Sequence, residues 1–412
     1  MSGFAVPVAV LLLAAAFTGT AGAAPVTERA SIGAENQEGD GASGDLGDLA
    51  LAAGGSIVTF ASAASNLVPG DDNGTHDVFV RDRKRATTTR LTTSGGSQPQ
   101  VSADGRLVLF IANRGGRRRA VVHDRRTGVT RTLPFGRRSV PARPLVLVRA
   151  ALSPDGRYVA TVTGRRTGSG PAGQDLERVV LAVTDRRTGR FTRLLSRPFE
   201  DVGEIALSRG GRRVALATGA RLVRGDRNRS GDVYAIDRRS GRRTRVSVST
   251  GGRGGDRASA GVAISARGRF VAFTSEATNL VRGDTNREGD VFVRDLRAGR
   301  TWRASVGPDG TQLRDAAALP AISADGRRVA FHLTEGDAIG DVSGPIGDVL
   351  LYDRATRSAQ YVSVDGAGVA VGRSGFPAIS AGGRHVAFAS ASERLVAGDA
   401  NGVSDVFVRG PF

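Results

Sequence analysis

The feature that most constrains this chain is a repeat of about fifty-five residues. Its clearest copy is Pro320 to Val364, which runs from an apolar entry through a Ser-x-Asp-Gly-Arg turn into an alternating Val/Phe stretch. A loop, a second apolar run ending in Asp353, a polar turn and a last short run complete the copy. The turn serine recurs as Ser102, Ser153, Ser208, Ser265, Ser323 and Ser380, with Ala52 in the same column of a worn first copy. Six residues on, every copy has valine: Val58, Val108, Val159, Val214, Val271, Val329 and Val386. Two further on stand Phe60, Phe110, Thr161, Leu216, Phe273, Phe331 and Phe388. A spacing of two places both columns on one face of a strand. Two residues before the anchor the column is alanine in every copy but the second, where it is Gln100. Small residues there suit inner strands crowded around a common axis.

The next run is DVFVRD at Asp77–Asp82 and its relatives, followed by a turn such as Asp185–Arg190 and a strand such as Thr244–Val248. Four short strands per copy, repeated seven times, predict an all-β, seven-bladed β-propeller with four-stranded blades. The seventh copy stops at Phe412 after its third strand, one strand short. Arg29-Ala30-Ser31-Ile32-Gly33 reads like Arg303-Ala304-Ser305-Val306-Gly307, an outer strand. Residues 26–33 are therefore expected to complete blade seven and close the ring, removing unpaired strand edges. Residues 33–48 then cross to blade one. A chain that closes on itself in this way is expected to be a monomer.

Ahead of the repeats, Phe4–Phe17 is apolar and too short to span a bilayer, and Ala21-Gly22-Ala23 offers a small-x-small cleavage site. Residues 1–23 read as a secretory signal peptide, and 24–412 as the mature, secreted, non-membrane-spanning propeller. With no cysteine, disulfides, thiol catalysis and thiolate metal sites are excluded. The formal charge is +18, from 58 basic and 40 acidic residues, and Lys84 is the only lysine. This balance draws polyanions, although an Arg-, Ala- and Gly-rich composition accounts for it more simply. Aromatics are 5%, too few to supply stacking platforms, so nucleic acid is not an expected partner.

Copies one, four, five and seven share a GDxNxxxD loop before the third strand. It places Asp71, Asn73 and Asp77 together, then Asp226, Asn228 and Asp232, Asp284, Asn286 and Asp290, and Asp399, Asn401 and Asp405. Clustered hard oxygens make these loops candidates for structural Ca2+. The competing reading is that Asp and Asn form Asx-turns. Copy six has a stretched version, Asp341 to Asp348, and copy three a different long loop, Gly164–Arg178. Strand connectivity puts the GDxNxxxD loops on one face and the Ser-x-Asp-Gly and Asp-Arg-Arg turns on the other. Arg125, Arg126, Arg186, Arg187, Arg238, Arg239, Arg242 and Arg243 crowd that second face, so one basic rim and one acidic arc are expected.

No catalytic constellation is legible. His76, His123, His332 and His385 fall in different copies and columns, with no metal-ligand spacing. No nucleophile elbow or His-Glu-x-x-His run is present.

At Ser323-Ala-Asp-Gly-Arg-Arg-Val-Ala-Phe and Ser153-Pro-Asp-Gly-Arg-Tyr-Val-Ala the chain resembles the PD40 repeat of TolB-like β-propeller proteins. The GDTN…DVFVRD run resembles the version found in secreted actinobacterial members. The resemblance spans residues 26–412 and implies a propeller that works by binding. The expected function is a secreted, non-enzymatic scaffold for a protein or an anionic cell-envelope component. The alternative is a propeller enzyme, lyase- or hydrolase-like, with its site on a loop face or in the axial channel.

Overall fold

The computed structural model describes residues 24–45, 47–114, 117–133, 146–166, 176–197, 202–334 and 347–412. The segment 1–23, most of the long loop of copy three and most of the stretched loop of copy six lie outside the described residues. Seven four-stranded antiparallel sheets follow one another around a ring; six run in sequence order from an inner to an outer strand, and the seventh takes its outer strand from the N-terminus. Blade one, for example, orders Leu49–Leu51, Ile57–Ser62, Asp77–Asp82 and Thr87–Arg90 from the axis outward.

The two columns that alternate on one face are the core. All seven valines are at most 1% exposed, and Thr161, at 4%, is the most exposed of the Phe column. In blades one, five and seven the column's phenylalanine stacks on its cross-strand partner: Phe60 on Phe79, Phe273 on Phe292 and Phe388 on Phe407. Such pairs add to the burial of their area. Blade four substitutes Tyr234, whose hydroxyl donates to Asp226 at 2.5 Å.

The turn after each inner strand is tied to its neighbour. The backbone N–H one residue past the anchor donates to the equivalent carbonyl of the next blade, as from Ala53 to Ala103, Ala266 to Ala324, and Ala324 to Ala381. Pro154 has no N–H, and there the Asp155 carboxylate accepts from Gly210 N–H of blade four instead. Inside each turn the serine hydroxyl accepts the N–H five residues on, in blades two to seven. Gly105, Gly156, Gly268, Gly326 and Gly383 all sit at positive φ in this turn, the conformation for which glycine carries no steric cost.

Closure follows the missing-strand argument. Val26–Arg29 pairs antiparallel with Asp405–Gly410, with Thr27 opposite Arg409 and Arg29 opposite Phe407. The crossover that follows is held by bridges Ile32 to Glu38 and Ser43 to Ser62. Among the described residues no helix is long and apolar enough to cross a membrane.

Candidate functional site

The inner strands of blades two to seven each slip register by a bulge midway along. The bulge sits at the position four before the anchor, where Gln98, Gly261, Leu319 and Phe376 all have positive φ. A bulge re-aims side chains. Here it turns that column toward the axis, at the face bearing the GDxNxxxD loops. In order around the ring the column reads Asp48, Gln98, Arg149, Glu204, Gly261, Leu319 and Phe376. All seven line one cavity of about 520 Å³ at the axial mouth. Blades one to four supply its charged and amide groups, and blades five to seven a glycine and apolar side chains with Pro320 and Pro377.

This column was missed from the sequence alone. The signal was there in reverse: framework columns match from blade to blade, while this one differs in every blade. Gln100, the exception in the alanine column, also belongs to the mouth. It donates to Ala150 O at 2.9 Å and accepts from Leu152 N–H at 2.8 Å, stitching blades two and three. Glu204 reaches across a seam to accept from Gly261 N–H at 3.1 Å.

Asp48 is the most perturbed group of the mouth. Burial pushes its carboxyl up to about 6, against the Gln98 N–H, with Asp45 adding to the rise and His76 and Arg118 opposing it. Burial lowers the Arg118 guanidinium, and Arg149 beside it lowers it further.

The histidines do not converge. His76 Nε2 lies 3.8 Å from Asp45 near the mouth. His123 meets Thr130 on a third strand at 2.8 Å. His332 is fully buried, accepts from Phe376 N–H at 3.3 Å, and is held down to about 4 by burial. His385 packs against Gly55 and Gly410.

The GDxNxxxD loops depart from the calcium expectation. In all four copies an arginine from an outer strand sits between the two aspartates. Arg90 spans Asp71 and Asp77 at 3.1 and 2.6 Å, and Arg245 spans Asp226 and Asp232 at 3.8 and 2.7 Å. Arg303 lies 3.5 and 3.2 Å from Asp284 and Asp290, and Arg29 lies 3.7 Å from both Asp399 and Asp405. A serine or threonine two residues after each arginine donates to the second aspartate: Thr92, Ser247, Ser305 and Ser31, each at 2.5 Å. The asparagines close Asx-turns, each side-chain carbonyl accepting the N–H two residues on: Asn73 from Thr75, Asn228 from Ser230, Asn286 from Glu288 and Asn401 from Val403. The cation that these carboxylates face is a guanidinium, and the asparagine oxygens are engaged with backbone. This donor set does not fit a calcium ion, which takes 6–8 oxygens. Among the described residues no group of three or more His, Asp or Glu is placed to hold a metal. The Arg-x-Ser/Thr run of the outer strand was the missed signal. It is also why Arg29-Ala30-Ser31 matches Arg303-Ala304-Ser305.

The basic rim is thinner than its arginine count. Arg125, Arg186 and Arg238 turn inward onto the carbonyls of Gly105, Gly156 and Gly211 at 2.6–2.7 Å. Arg126, Arg187, Arg239 and Arg242 remain exposed.

These features define a seven-bladed β-propeller closed by its own N-terminal strand, with one mixed polar and apolar axial mouth. No protein-family model matches the sequence, and a search of curated proteins finds no match. Solved structures share the fold. An oligogalacturonate lyase in complex with manganese matches with a TM-score of 0.61 at 13% identity, over 94% of this chain and 97% of that one. The β-propeller domain of the Trilobed protease from Pyrococcus furiosus matches with a TM-score of 0.53 at 11% identity, over 88% and 93%. TolB from Acinetobacter baumannii matches with a TM-score of 0.44 at 16% identity, over 69% and 58%. Identities this low speak to fold alone.

Proposed function

We propose that this chain is a non-catalytic binding propeller that acts outside the cytoplasm and receives an extended segment of a protein partner in its axial mouth. The observation that carries the reading is a column that differs in all seven blades and lines a single cavity. The lining favours polypeptide over polyanion. Asp48 and Glu204 repel a run of negative charge, whereas a peptide offers N–H and C=O groups to Gln98 and Arg149 and side chains to Leu319 and Phe376. Pockets of this kind bind by apolar contact and orient by a few polar groups. The extracytoplasmic assignment rests on the apolar leader and the Ala21-Gly22-Ala23 site.

A photo-crosslinking residue at Gln98 or Glu204 tests the reading, with Val129, exposed on an outer strand, as control position. Incubated with cell-envelope extract, the mouth positions should capture one discrete protein that Val129 does not, and Phe376→Ala should weaken the capture. Equal labelling at all three positions would remove the argument.

The second reading is enzymatic, and one observation favours it. Asp48, raised to about 6, lies in a concave site with Arg118 and Arg149 near by, and a general base works best with a pKa near the operating pH. The fold match to a lyase on acidic oligosaccharides makes oligogalacturonate the substrate to try. Appearance of unsaturated product, abolished in Asp48→Asn, would replace the binding reading.

A further inference from the structure

The seams between blades follow a compensation rule. The residue after the third-strand aspartate is Arg83, Arg125, Arg186, Arg238, Leu296 and Arg354 in blades one to six, and Pro411 stands in that column in blade seven. Each of the five arginines donates to the carbonyl of the turn glycine of its own blade. Arg238 and Arg354 also stack on Tyr158 and Phe270 of the blade before, 4.7 and 4.4 Å from the ring centroids. Where the arginine is missing, the preceding blade supplies one at the Tyr158/Phe270 position. Arg213 of blade four donates to Gly268 O of blade five at 2.6 Å, and Arg328 of blade six donates to Gly383 O of blade seven at 3.0 Å.

The two rescued seams are not equivalent. Arg328 is neutralised by Asp353 at 3.3 Å and capped by the carbonyl of Phe412. Arg213 has no carboxylate partner among the described residues, and Leu296 is too short to fill the seam. A cavity of about 240 Å³ remains, lined by Arg212, Arg213, Arg242, Asp237, Ser240 and Leu296, among others. Asp237 is already bound to Arg212 at 3.1 Å and to the N–H groups of Arg239 and Ser240. Three arginines therefore line a cavity with one engaged carboxylate, and the Arg242 guanidinium has no hydrogen-bond or ion-pair partner among the described residues.

We propose that this seam between blades four and five is a binding site for a small oxyanion, the carboxylate or phosphate group of a larger molecule. The guanidinium fork matches either group bidentately, and the Ser240 hydroxyl lines the same cavity. The site is on the turn face, opposite the axial mouth, so it stands or falls apart from the peptide reading.

Calorimetric titration of the full chain with inorganic phosphate and with glucuronate, at constant ionic strength in chloride, tests it. The expected result is saturable binding of at least one probe, the tighter one identifying the source of the oxyanion. Arg242→Ala should weaken it about tenfold or more, the loss of one charge-assisted bidentate contact. Leu296→Phe, which fills the cavity without changing charge, should also weaken it. Arg239→Ala, exposed on the same turn but outside the cavity, should leave it unchanged. Absence of saturable binding by both probes overturns the proposal. So does equal weakening by Arg239→Ala and Arg242→Ala, which would reduce the effect to general surface charge.

Discussion

Asp48 shows how a single residue of the mouth costs stability. Its ordinary carboxyl value is 3.8, and burial lifts it to about 6 in the folded chain. A group raised on folding contributes stability that is fully present below the unfolded value and is lost as pH rises through the folded one. Ionised Asp48 thus costs up to about 3 kcal/mol at neutral pH, from roughly two units at about 1.4 kcal/mol each. Asp232, Asp290 and Asp399, each pushed up to about 6 chiefly by burial, share that sign. Asp185 has the opposite sign. The Arg157 guanidinium holds it down to about 2, so its contribution is present above 3.8 and lost as pH falls through 2. The melting temperature should therefore not fall between pH 7 and 5. Asp48→Asn should raise it more at pH 7 than at pH 5, measured by thermal melts at both values. An equal effect at the two values would contradict the assignment. A destabilising ionisable group in a concave mouth is the sort of residue that function retains.

At the scale of elements, the unit to test is the latch of two aspartates and one arginine. Arg29 is 7% exposed, and Asp399 and Asp405 are 4% and 0% exposed. Arg29→Ala leaves two buried carboxylates without their cation, and breaking a buried pair in this way costs about 3–5 kcal/mol. Arg90→Ala in blade one should cost a similar amount. Only the Arg29 variant should also speed hydrogen exchange in Val26–Arg29, because only that latch ties the N-terminal strand. A chelator should leave the melting temperature of the wild-type chain unchanged, since guanidinium supplies the positive charge; a ligand bound only to the native state would raise it. The GDxNxxxD pattern was legible as a loop with clustered oxygens and as an Asx-turn. Its partner was not, because Arg90 lies thirteen residues beyond Asp77 on another strand, and Arg29 lies at the other end of the chain from Asp405.

For the whole molecule, closure is the decisive event. Without Val26–Arg29, the third strand of blade seven, Asp405–Gly410, becomes an exposed edge, and exposed edges pair with other chains. A chain beginning at residue 34 should melt lower and associate in a concentration-dependent way by light scattering. A synthetic peptide of residues 24–33 added in trans should restore the monomeric melt. A truncated chain with the full-length melt would mean that closure contributes nothing to stability. The apolar Val and Phe columns are the counterpart within each sheet. They pack blade on blade, and removing the side chain of Phe331, fully buried, should cost about 3–5 kcal/mol by cavity formation.

The chain's internal repetition alone determined the number of blades, the four strands of each and the strand that completes the last one. These depend on alternation along a strand and on turn residues a few positions apart, which are local physics. The tertiary structure decided what depends on contacts between blades, some fifty residues apart in sequence. A bulge turned the column from Gln98 to Phe376 toward the axis, which no period-two pattern predicts. Arginines, counted as free surface charge from composition, were drawn inward to carbonyls and aspartates. Leu296 stands in a column that is arginine in five blades, and only the ring brings it beside Arg213.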